Sequence, residues 1–425
     1  MSIAVVGLGY VGLPLACKFA DNGEYVFGID VNEEKVNTIN KGILPFGEDE
    51  PGLIELFERV IKSGRLKATD DFSVCREVDA IFICTQTPID EITKEPIYDA
   101  LKNAVLNVGK NIKPGILVVV ESTVAPYTME KMVKPILEEA SGLKVGKDLQ
   151  LVHCPERIAP GVTLLHIETM HRVVGGNTKE GIERAIQYYR KIVKGDLDPT
   201  DWLTAEVVKT VENAERDLKI AFANEIAMAC EAIGIDYSQV RKFVNKAPLR
   251  DLVFPGPGVG GHCIPKDPYL FIYALKGKFK PKLLLTARKV NEKMPEHVVE
   301  LVKKALKKNK IQMKDAIVTI LGYAYKENTD DTRNTPAEEV RKLLEKKVKE
   351  VRVHDPHVNT KFVEKDLIKC IQDADCLVLV TAHNEYKELS PEILTQHLRH
   401  KIIVDTRNFL PEMEGFTQIC LGVGK

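Results

Sequence analysis

The sequence predicts an α/β protein with two Rossmann-like, doubly wound domains joined by a long central helix. Three observations support this prediction. Short β-rich runs alternate with helical stretches up to about residue 196, a single amphipathic helical pattern follows, and the alternation resumes after about residue 310. Such alternation is typical of doubly wound parallel sheets. We therefore divide the chain into domains at 1–196, 197–310 and 311–425.

The predicted strands are apolar runs bounded by helical stretches or turn residues. The first domain contains IAVVGLG, EYVFGID, DAIFICT, GILVVVES, LQLVHCP and HRVVGG, and the third contains AIVTILGY, EVRVHD, DCLVLVT and KIIVDTR. Their alternation with helical stretches is the pattern of a doubly wound parallel sheet.

The central helix is predicted from about residue 199 to residue 235. Asp201 supplies a start signal and Gly234 a stop signal. Apolar residues recur between them at helical spacing, at Leu203, Val207, Val211, Ala214, Leu218 and Phe222. We expect this helix to form a spine and a dimerisation surface.

Composition excludes several classes of partner. The 425 residues carry 60 Lys and Arg against 61 Asp and Glu, so no basic excess is present to attract nucleic acid. Apolar runs stay shorter than a membrane span, which predicts no membrane partner. The nine cysteines show no zinc-ligand spacing, so we expect reduced thiols in a cytoplasmic protein and no metal site.

A dinucleotide-binding fingerprint lies at the N-terminus. Gly7, Gly9 and Gly12 form GLGYVG between the strand IAVV and a helical stretch, and Asp30 ends the next strand. This arrangement provides a tight turn, close approach of the backbone to a pyrophosphate, and an acid for the ribose hydroxyls. An acid there repels a 2′-phosphate, which favours NAD over NADP. The alternative is a set of ordinary turn glycines with a capping Asp30.

A second glycine-rich loop precedes a cysteine. PGPGVGGHCIPKD places Cys263 after three closely spaced glycines, with His262 and Lys266 near enough to stabilise a thiolate. The alternative is a Pro/Gly turn that holds a structural cysteine.

A polar stripe runs along the central helix. Glu206, Lys209 and Asn213 are spaced by three and four residues and share one helical face, which Arg216, Asp217, Asn224 and Glu225 prolong. Without further evidence, a stripe of this kind is more often solvated than catalytic.

Six motifs together make the chain resemble the UDP-glucose/GDP-mannose dehydrogenase family over nearly its whole length. They are GLGYVG, ESTVAP, CPERIAPG, AEVVKTVENAERD, GVGGHCIPKD and YKENTDDTRNTPA, in that order. The resemblance implies an NAD domain at 1–196, a central dimerisation domain with the cysteine loop at 197–310, and a UDP-sugar domain at 311–425. It also implies a cytoplasmic homodimer or homotetramer that serves polysaccharide biosynthesis.

The family's catalytic roles fall on matching positions. The resemblance makes Cys263 the nucleophile that forms a thiohemiacetal and then a thioester, while Lys209 and Asn213 stabilise the oxyanion. Glu156 resembles the residue for thioester hydrolysis, and Thr123 and Asp267 resemble those that hold the catalytic water.

Binding roles follow in the same way. The resemblance implies cofactor contacts at Gly7, Gly9, Tyr10, Val11, Gly12, Asp30, Lys35, Thr85, Thr87 and Thr123. It implies substrate contacts at Glu156, Arg157, Lys209, Asn213, Arg216, Arg250, Gly258, Gly260, Gly261, Tyr325, Lys326, Arg333 and Arg407. A plain surface charge cluster is the alternative for Arg333.

The cysteine loop also bears on the substrate. GPGVGGHCI is similar to the branch that oxidises UDP-N-acetylhexosamines, particularly UDP-N-acetyl-D-mannosamine, with UDP-N-acetylglucosamine and UDP-glucose as alternatives. That branch commonly has a His-Pro-Arg element where this chain has Ala-Pro-Leu-Arg, ending at Arg250. A two-electron hydroxyacid dehydrogenase, with one NADH per substrate, and a binding-only regulator are the alternatives from other classes.

Overall fold

The computed structural model describes residues 2–46 and 50–424. The first residue of the predicted domain 1–196 and the last residue of the predicted domain 311–425 lie outside the described residues. The described residues form two compact units, 2–212 with 269–280 and 213–268 with 281–424. Each unit is built on one mainly parallel β-sheet, which confirms the predicted fold class. Among the described residues, no helix is long and apolar enough to cross a membrane.

The sheet of the first unit has eight strands in the order β3-β2-β1-β4-β5-β6-β7-β8. Its strands run parallel except where β7 pairs antiparallel with β6. The strands are β1 Ser2–Val6, β2 Tyr25–Ile29, β3 Leu66–Thr69, β4 Ala80–Ile83, β5 Leu117–Val120, β6 Gln150–His153, β7 Arg172–Gly176 and β8 Leu197–Thr200. All six predicted strands are present, whereas β3 and β8 were not predicted because polar residues interrupt them.

The helices that begin in the first unit include the start of the central helix. They are α1 Gly12–Asp21, α2 Glu33–Asn40, α3 Leu53–Lys62, α4 Asp99–Lys110, α5 Lys134–Ser141, α6 Thr163–Thr169, α7 Lys179–Tyr189 and α8 Trp202–Ile233. Side-chain caps begin several of them, as where Asn32 accepts from the Lys35 amide and Thr178 from the Gly181 amide.

Helix α8 is the predicted central helix. Asp201 caps its first turn by accepting from the Thr204 amide at 2.9 Å, and Gly234 ends it with a φ of +80°. Its polar stripe is not uniformly solvated, because four members, Glu206, Lys209, Asp217 and Asn224, are buried. Buried polar side chains need partners, so these four residues have structural or chemical roles.

The sheet of the second unit has six parallel strands in the order β11-β10-β9-β12-β13-β14. They are β9 Ile317–Leu321, β10 Glu350–His354, β11 Val363–Glu364, β12 Cys376–Leu379, β13 Ile402–Asp405 and β14 Thr417–Cys420. The remaining helices are α9 Tyr237–Val244, α10 Asp267–Ala274, α11 Lys282–Lys308, α12 Pro336–Glu345, α13 Leu367–Ile371 and α14 Pro391–His397.

The two sheets have the same arrangement at the carboxyl end of β2 and of β10, where an aspartate accepts hydrogen bonds from a neighbouring loop. Asp30 follows β2 and accepts from the amide of Leu8 in the loop after β1, at 2.9 Å. Asp355 follows β10 and accepts from the amides of Tyr323 and Ala324 in the loop after β9, at 2.6 and 2.8 Å. In each unit a buried carboxylate therefore fixes the loop that leaves the first strand.

Candidate active site

The GLGYVG loop has the geometry of a pyrophosphate site. Gly7 has a φ of +92°, and a Cβ on Gly12 would lie 1.8 Å from the Gly7 carbonyl oxygen, so both positions require glycine. A Cβ on Gly9 would meet nothing within 4 Å, which leaves the backbone open to a ligand. Helix α1 begins at Gly12, after Val11 at its N-cap, and presents its N-terminus to an anion.

Asp30 lies at the end of β2, where the fingerprint predicts the ribose hydroxyls of a dinucleotide to bind. Its carboxylate accepts from Leu8 N and also pairs with the Lys35 ammonium at 2.8 Å. Tyr10 of the glycine loop packs on Phe46 with ring centroids 4.5 Å apart. These residues fit the adenosine half of a dinucleotide, and the structure brings together the predicted pair Asp30 and Lys35.

Three further candidates lie in the loops after β4 and β5. The Thr87 hydroxyl donates to the Thr123 carbonyl at 2.6 Å, and the Ser122 hydroxyl donates to the Thr85 carbonyl at 2.5 Å. Thr85, Thr87 and Thr123 therefore form one cluster at the carboxyl edge of the sheet, where open α/β sheets bind their ligands.

Glu156 and Arg157 follow β6 at the same edge. The buried carboxylate of Glu156 accepts from the Ile158 amide at 2.6 Å. The Glu156 amide donates to the Glu121 carbonyl at 3.3 Å and ties this loop to the end of β5. Arg157 pairs with Glu212 of α8 and donates to the His171 carbonyl at 2.7 Å. The Arg157 guanidinium is thus held within the first unit.

A buried ion pair beneath these loops was not predicted from the sequence. Arg172 donates to Glu121 at 3.2 Å, and the Tyr189 hydroxyl donates to the same carboxylate. Burial raises the pKa of Glu121, while the charge of Arg172 opposes that rise. Glu121 directly precedes the Ser122-Thr123 segment, so this pair fixes the loop that carries Thr123. The only signal in the sequence was a charged residue next to an apolar strand.

The loop that carries Cys263 is held closely against the second unit's own residues. Gly258 has a φ of +135°, and a Cβ on Gly260 would lie 2.4 Å from the Tyr325 Cβ. Gly261 has a φ of +85°, donates its amide to the Arg333 carbonyl at 2.8 Å, and packs on the Tyr325 ring. The three predicted glycines are therefore required by contact, by conformation or by both.

Cys263 is half-buried and lies four residues before α10. Its carbonyl accepts from the amides of Lys266 and Asp267 at 3.0 and 2.9 Å, which closes the turn leading into α10. The N-terminal end of a helix favours negative charge nearby. A negative charge in this segment would therefore be close to the N-terminal end of α10.

The charges around this thiol differ from the prediction in one respect. Burial, followed by the charges of Lys266 and Arg333, lowers the pKa of His262 to about 4, so its imidazole is neutral at pH 7. Lys266 is paired with Asp267 at 2.7 Å. The pKa of Arg333 is raised, first by its hydrogen bond to Asp331 and in smaller part by Cys263. Arg333, and not His262, is thus a cation that interacts with this thiol.

Asp267 connects the cysteine loop to the central helix. The Asn213 side-chain amide donates to Asp267 Oδ2 at 2.5 Å, and Asp267 is fully buried. The structure therefore brings the predicted residues Asn213 and Asp267 together. Lys209 is also buried and lies one turn before Asn213 on α8.

The loop after β9 carries three further predicted residues. Tyr325 and Lys326 are half-buried, and Arg333 forms a two-point ion pair with Asp331 at 2.9 and 2.6 Å. Arg407 follows β13 and donates from Nε to the Val380 carbonyl at 2.9 Å. These side chains surround the carboxyl edge of the second sheet, where a nucleotide would bind.

Two predicted substrate residues have no such placement. Arg216 is exposed on α8. Arg250 is exposed and donates to the carbonyls of Pro248 and Leu249, at 3.3 and 3.4 Å. Asp355 was not predicted as a site residue, although its position after β10 repeats that of Asp30 after β2.

Comparison with known proteins agrees with this geometry. Three models of the UDP-glucose/GDP-mannose dehydrogenase family match the chain: the NAD binding domain over residues 1–193, the central domain over 203–293 and the UDP binding domain over 319–412. The UDP-N-acetyl-D-mannosamine dehydrogenase of Pyrococcus horikoshii is 39% identical over 100% of this chain and 99% of its own.

Solved structures give the same result. The P. horikoshii structure has a TM-score of 0.95 at 38% identity and covers 100% of both chains. The UDP-N-acetyl-mannosamine dehydrogenase of Staphylococcus aureus has a TM-score of 0.89 at 36% identity, covering 99% of this chain and 98% of its own. An NDP-N-acetyl-D-galactosaminuronic acid dehydrogenase from Methanosarcina mazei Go1 has a TM-score of 0.86 at 37% identity, covering 100% and 95%. This chain therefore belongs to the UDP-glucose/GDP-mannose dehydrogenase family and is an NAD-dependent nucleotide-sugar dehydrogenase.

Proposed function

We propose that this chain oxidises the C6 alcohol of UDP-N-acetyl-D-mannosamine to the carboxylate, giving UDP-N-acetyl-D-mannosaminuronate. The overall reaction consumes two NAD and one water and releases two NADH and three protons. The observation that carries the proposal is Cys263, a half-buried cysteine four residues before α10 in a loop fixed by glycine contacts.

A nucleophilic thiol explains how one site removes four electrons. NAD would supply the hydride acceptor, with a second NAD replacing the first NADH before the second oxidation. After the first oxidation the Cys263 thiolate adds to the aldehyde carbon and forms a thiohemiacetal. Its oxidation leaves a thioester, and water then cleaves the carbon–sulfur bond to release the acid and the thiol.

The other proposed roles follow from the polar groups described above. Lys209 and Asn213 stabilise the oxyanion, Glu156 assists hydrolysis of the thioester, and Thr123 and Asp267 hold the catalytic water. The buried positions of Lys209 and Asp267 support these roles, because a charge in a low-dielectric site acts more strongly than one in water.

The nucleotide is proposed to bind the loop after β9. Tyr325, Lys326, Arg333 and Arg407 would contact the UDP group, with Gly258, Gly260 and Gly261 lining the sugar. We keep Arg157, Arg216 and Arg250 as proposed substrate contacts, although the contacts within each unit do not support that role. We also propose the domain division at 196 and 310, a cytoplasmic location, and a homodimer or homotetramer that uses α8.

The relatives favour the manno sugar. Proteins named for UDP-N-acetyl-D-mannosamine match this chain at 35–39% identity over at least 92% of its length. UDP-N-acetylglucosamine and UDP-glucose are the alternatives. NADH release should be measured with UDP-N-acetyl-D-mannosamine, UDP-N-acetylglucosamine, UDP-glucose, UDP-N-acetylgalactosamine and GDP-mannose. The mass of the product should then be determined for the sugar that reacts.

The thiol mechanism has a direct test. Cys263→Ser should reduce formation of the acid by at least about a thousandfold, because the alcohol is a much weaker nucleophile, and should leave NAD affinity unchanged. Cys420→Ser, at another half-buried cysteine, is the matched control and should have normal activity. Two NADH per sugar from the Cys263→Ser variant at the normal rate would exclude the mechanism.

A further inference from the structure

A line of buried amides leads from the core of the second unit to the loop that carries Cys263. Arg288 of α11 donates to Asp217 Oδ1 at 2.6 Å, and the Asn291 amide donates to the same oxygen at 2.8 Å. The Asn224 amide donates to Asn291 Oδ1 at 2.9 Å, and Asn224 Oδ1 accepts from the Gly256 amide at 2.9 Å. We call Asp217, Asn291 and Asn224 the amide relay.

The relay has a single possible direction. The Asn291 NH₂ group donates to Asp217 Oδ1 at 2.8 Å and to the Asp217 backbone carbonyl at 2.9 Å, so the carbonyl oxygen of Asn291 must face Asn224. Asn224 must then turn its own NH₂ group toward Asn291, which leaves its oxygen for Gly256. Burial raises the pKa of Asp217 and the charge of Arg288 opposes that rise, while the Asp217 backbone carbonyl holds the Asn291 amide in either protonation state.

The relay contacts the loop through the backbone amide of Gly256. Pro255 and Pro257 have no N–H, so among these three residues only Gly256 can donate a backbone hydrogen bond. A Cβ on Gly256 would lie 2.7 Å from Arg407 Nη1, so the residue is confined on its other side as well. The two prolines restrict the backbone on both sides, and a displacement of Gly256 passes on toward Gly258.

We propose that Asn224 is a positioning residue that acts through Gly256 to fix the loop carrying Cys263. The inference rests on the proposed function, because it assumes that the position of this thiol limits the reaction. Asn224 is fully buried, and its side-chain amide is engaged by Asn291 and by the Gly256 amide. Misplacing a reacting atom by about 1 Å can cost roughly a hundredfold in rate.

The test compares Asn224→Asp with Asn224→Ser. The introduced carboxylate still accepts from Gly256 but turns an oxygen toward Asn291 Oδ1. At pH 8 we expect kcat to fall by roughly ten- to a hundredfold, with the Kd for NAD unchanged. Protonation restores a donor to Asn291, so activity relative to the wild type should recover toward pH 6. The serine variant should lose activity without that recovery.

The charged groups around this position must be considered in the pH profile. Asp217, Arg288 and Glu292 lie on the relay side, with Glu292 3.4 Å from Arg288, and Arg407 lies beside Gly256. All of them are present in the wild type, so the ratio of variant to wild-type activity removes their common contribution. The serine variant provides the same correction without a titrating group at position 224.

A second measurement does not depend on turnover. The alkylation rate of Cys263 by iodoacetamide, followed by mass spectrometry, should change at least threefold in both variants, while that of Cys420 should not. Asn40→Asp is the matched control, since the Asn40 amide likewise bridges two backbone groups, the amide and carbonyl of Ala68. This control should alter neither kcat nor the alkylation of Cys263.

The outcomes separate this inference from the proposed function. Normal kcat and normal Cys263 alkylation in both Asn224 variants would overturn the relay. The relay would also be overturned if both Asn224 variants bound NAD more weakly, unfolded at a lower temperature and alkylated faster at Cys420. Those changes together would show that Asn224 supports the fold in general. If the wild type oxidises no nucleotide sugar, the proposed function fails, and the alkylation rates still decide whether Asn224 positions the thiol.

Discussion

Two glycines of the GLGYVG loop should respond in opposite ways to the same added methyl group. A Cβ on Gly12 would lie 1.8 Å from the Gly7 carbonyl oxygen, about 1.6 Å inside the 3.4 Å at which ordinary contact begins. A Cβ on Gly9 would meet nothing within 4 Å. Gly12→Ala therefore strains the fold itself, whereas Gly9→Ala fills only the space that a pyrophosphate would use.

The expected magnitudes differ accordingly. Overpacking of this kind costs about 3 kcal/mol, so Gly12→Ala should lower the Tm of the protein without cofactor by roughly 6–12 °C. Gly9→Ala should leave that Tm within about 2 °C and raise the Kd for NAD at least tenfold, or about 1.4 kcal/mol. Thermal unfolding and titration calorimetry measure the two quantities.

Either of two results would refute this reasoning. An unchanged Tm for Gly12→Ala would show that the contact with Gly7 is not present in the folded protein. Wild-type NAD affinity in Gly9→Ala would show that the cofactor does not approach the loop at this open position.

Two other predictions follow from the paired carboxylates. Asp30→Ser removes the charge that repels a 2′-phosphate and leaves Lys35 to attract it, so the preference for NAD over NADP, measured as a ratio of kcat/KM, should fall roughly a hundredfold. Exposed Glu33→Ser is the control, and an unchanged ratio in Asp30→Ser would contradict the assignment. Burial alone would raise the pKa of Asp355, but hydrogen bonds from His383 and the backbone amides hold it well below its usual 3.8. The stabilisation is therefore complete above pH 3.8 and is lost as pH falls below it, so Asp355→Asn should lower Tm at pH 7 and flatten the acid limb of the stability curve. If stability fell as steeply at acid pH in the variant as in the wild type, protonation of Asp355 would not be the cause of that fall.

Part of the site could be predicted because its chemistry is local in sequence. The order strand, glycines, helix, strand and acid places Gly7 to Gly12 and Asp30 without tertiary information. Cys263 stood out because three glycines precede it. The charge of His262 could not be predicted in the same way, because its pKa depends on burial and on Arg333, which is 71 positions further along the chain.

The polar stripe on α8 shows the same difference. Helical spacing predicts that Glu206, Lys209 and Asn213 share a face, but spacing is equally consistent with a solvated face. The structure distinguishes the two possibilities, because it shows which of these side chains are buried and which groups they hydrogen-bond. Glu206 accepts from the amides of Tyr127 and Met129 at 2.7 Å, and Asn213 donates to Asp267. Neither set of partners is near α8 in sequence.

The sequence by itself determined the two Rossmann-like sheets, the central helix and the NAD cofactor, and it predicted Cys263 as the nucleophile. Periodicity and turn chemistry depend on near neighbours, and a single chain contains that information. Only the tertiary structure decided which carboxylates are paired, which imidazole is neutral, and that Asn224 reaches the backbone of Gly256. Those properties depend on burial and on hydrogen-bond partners tens of residues away, which the order of residues does not specify directly.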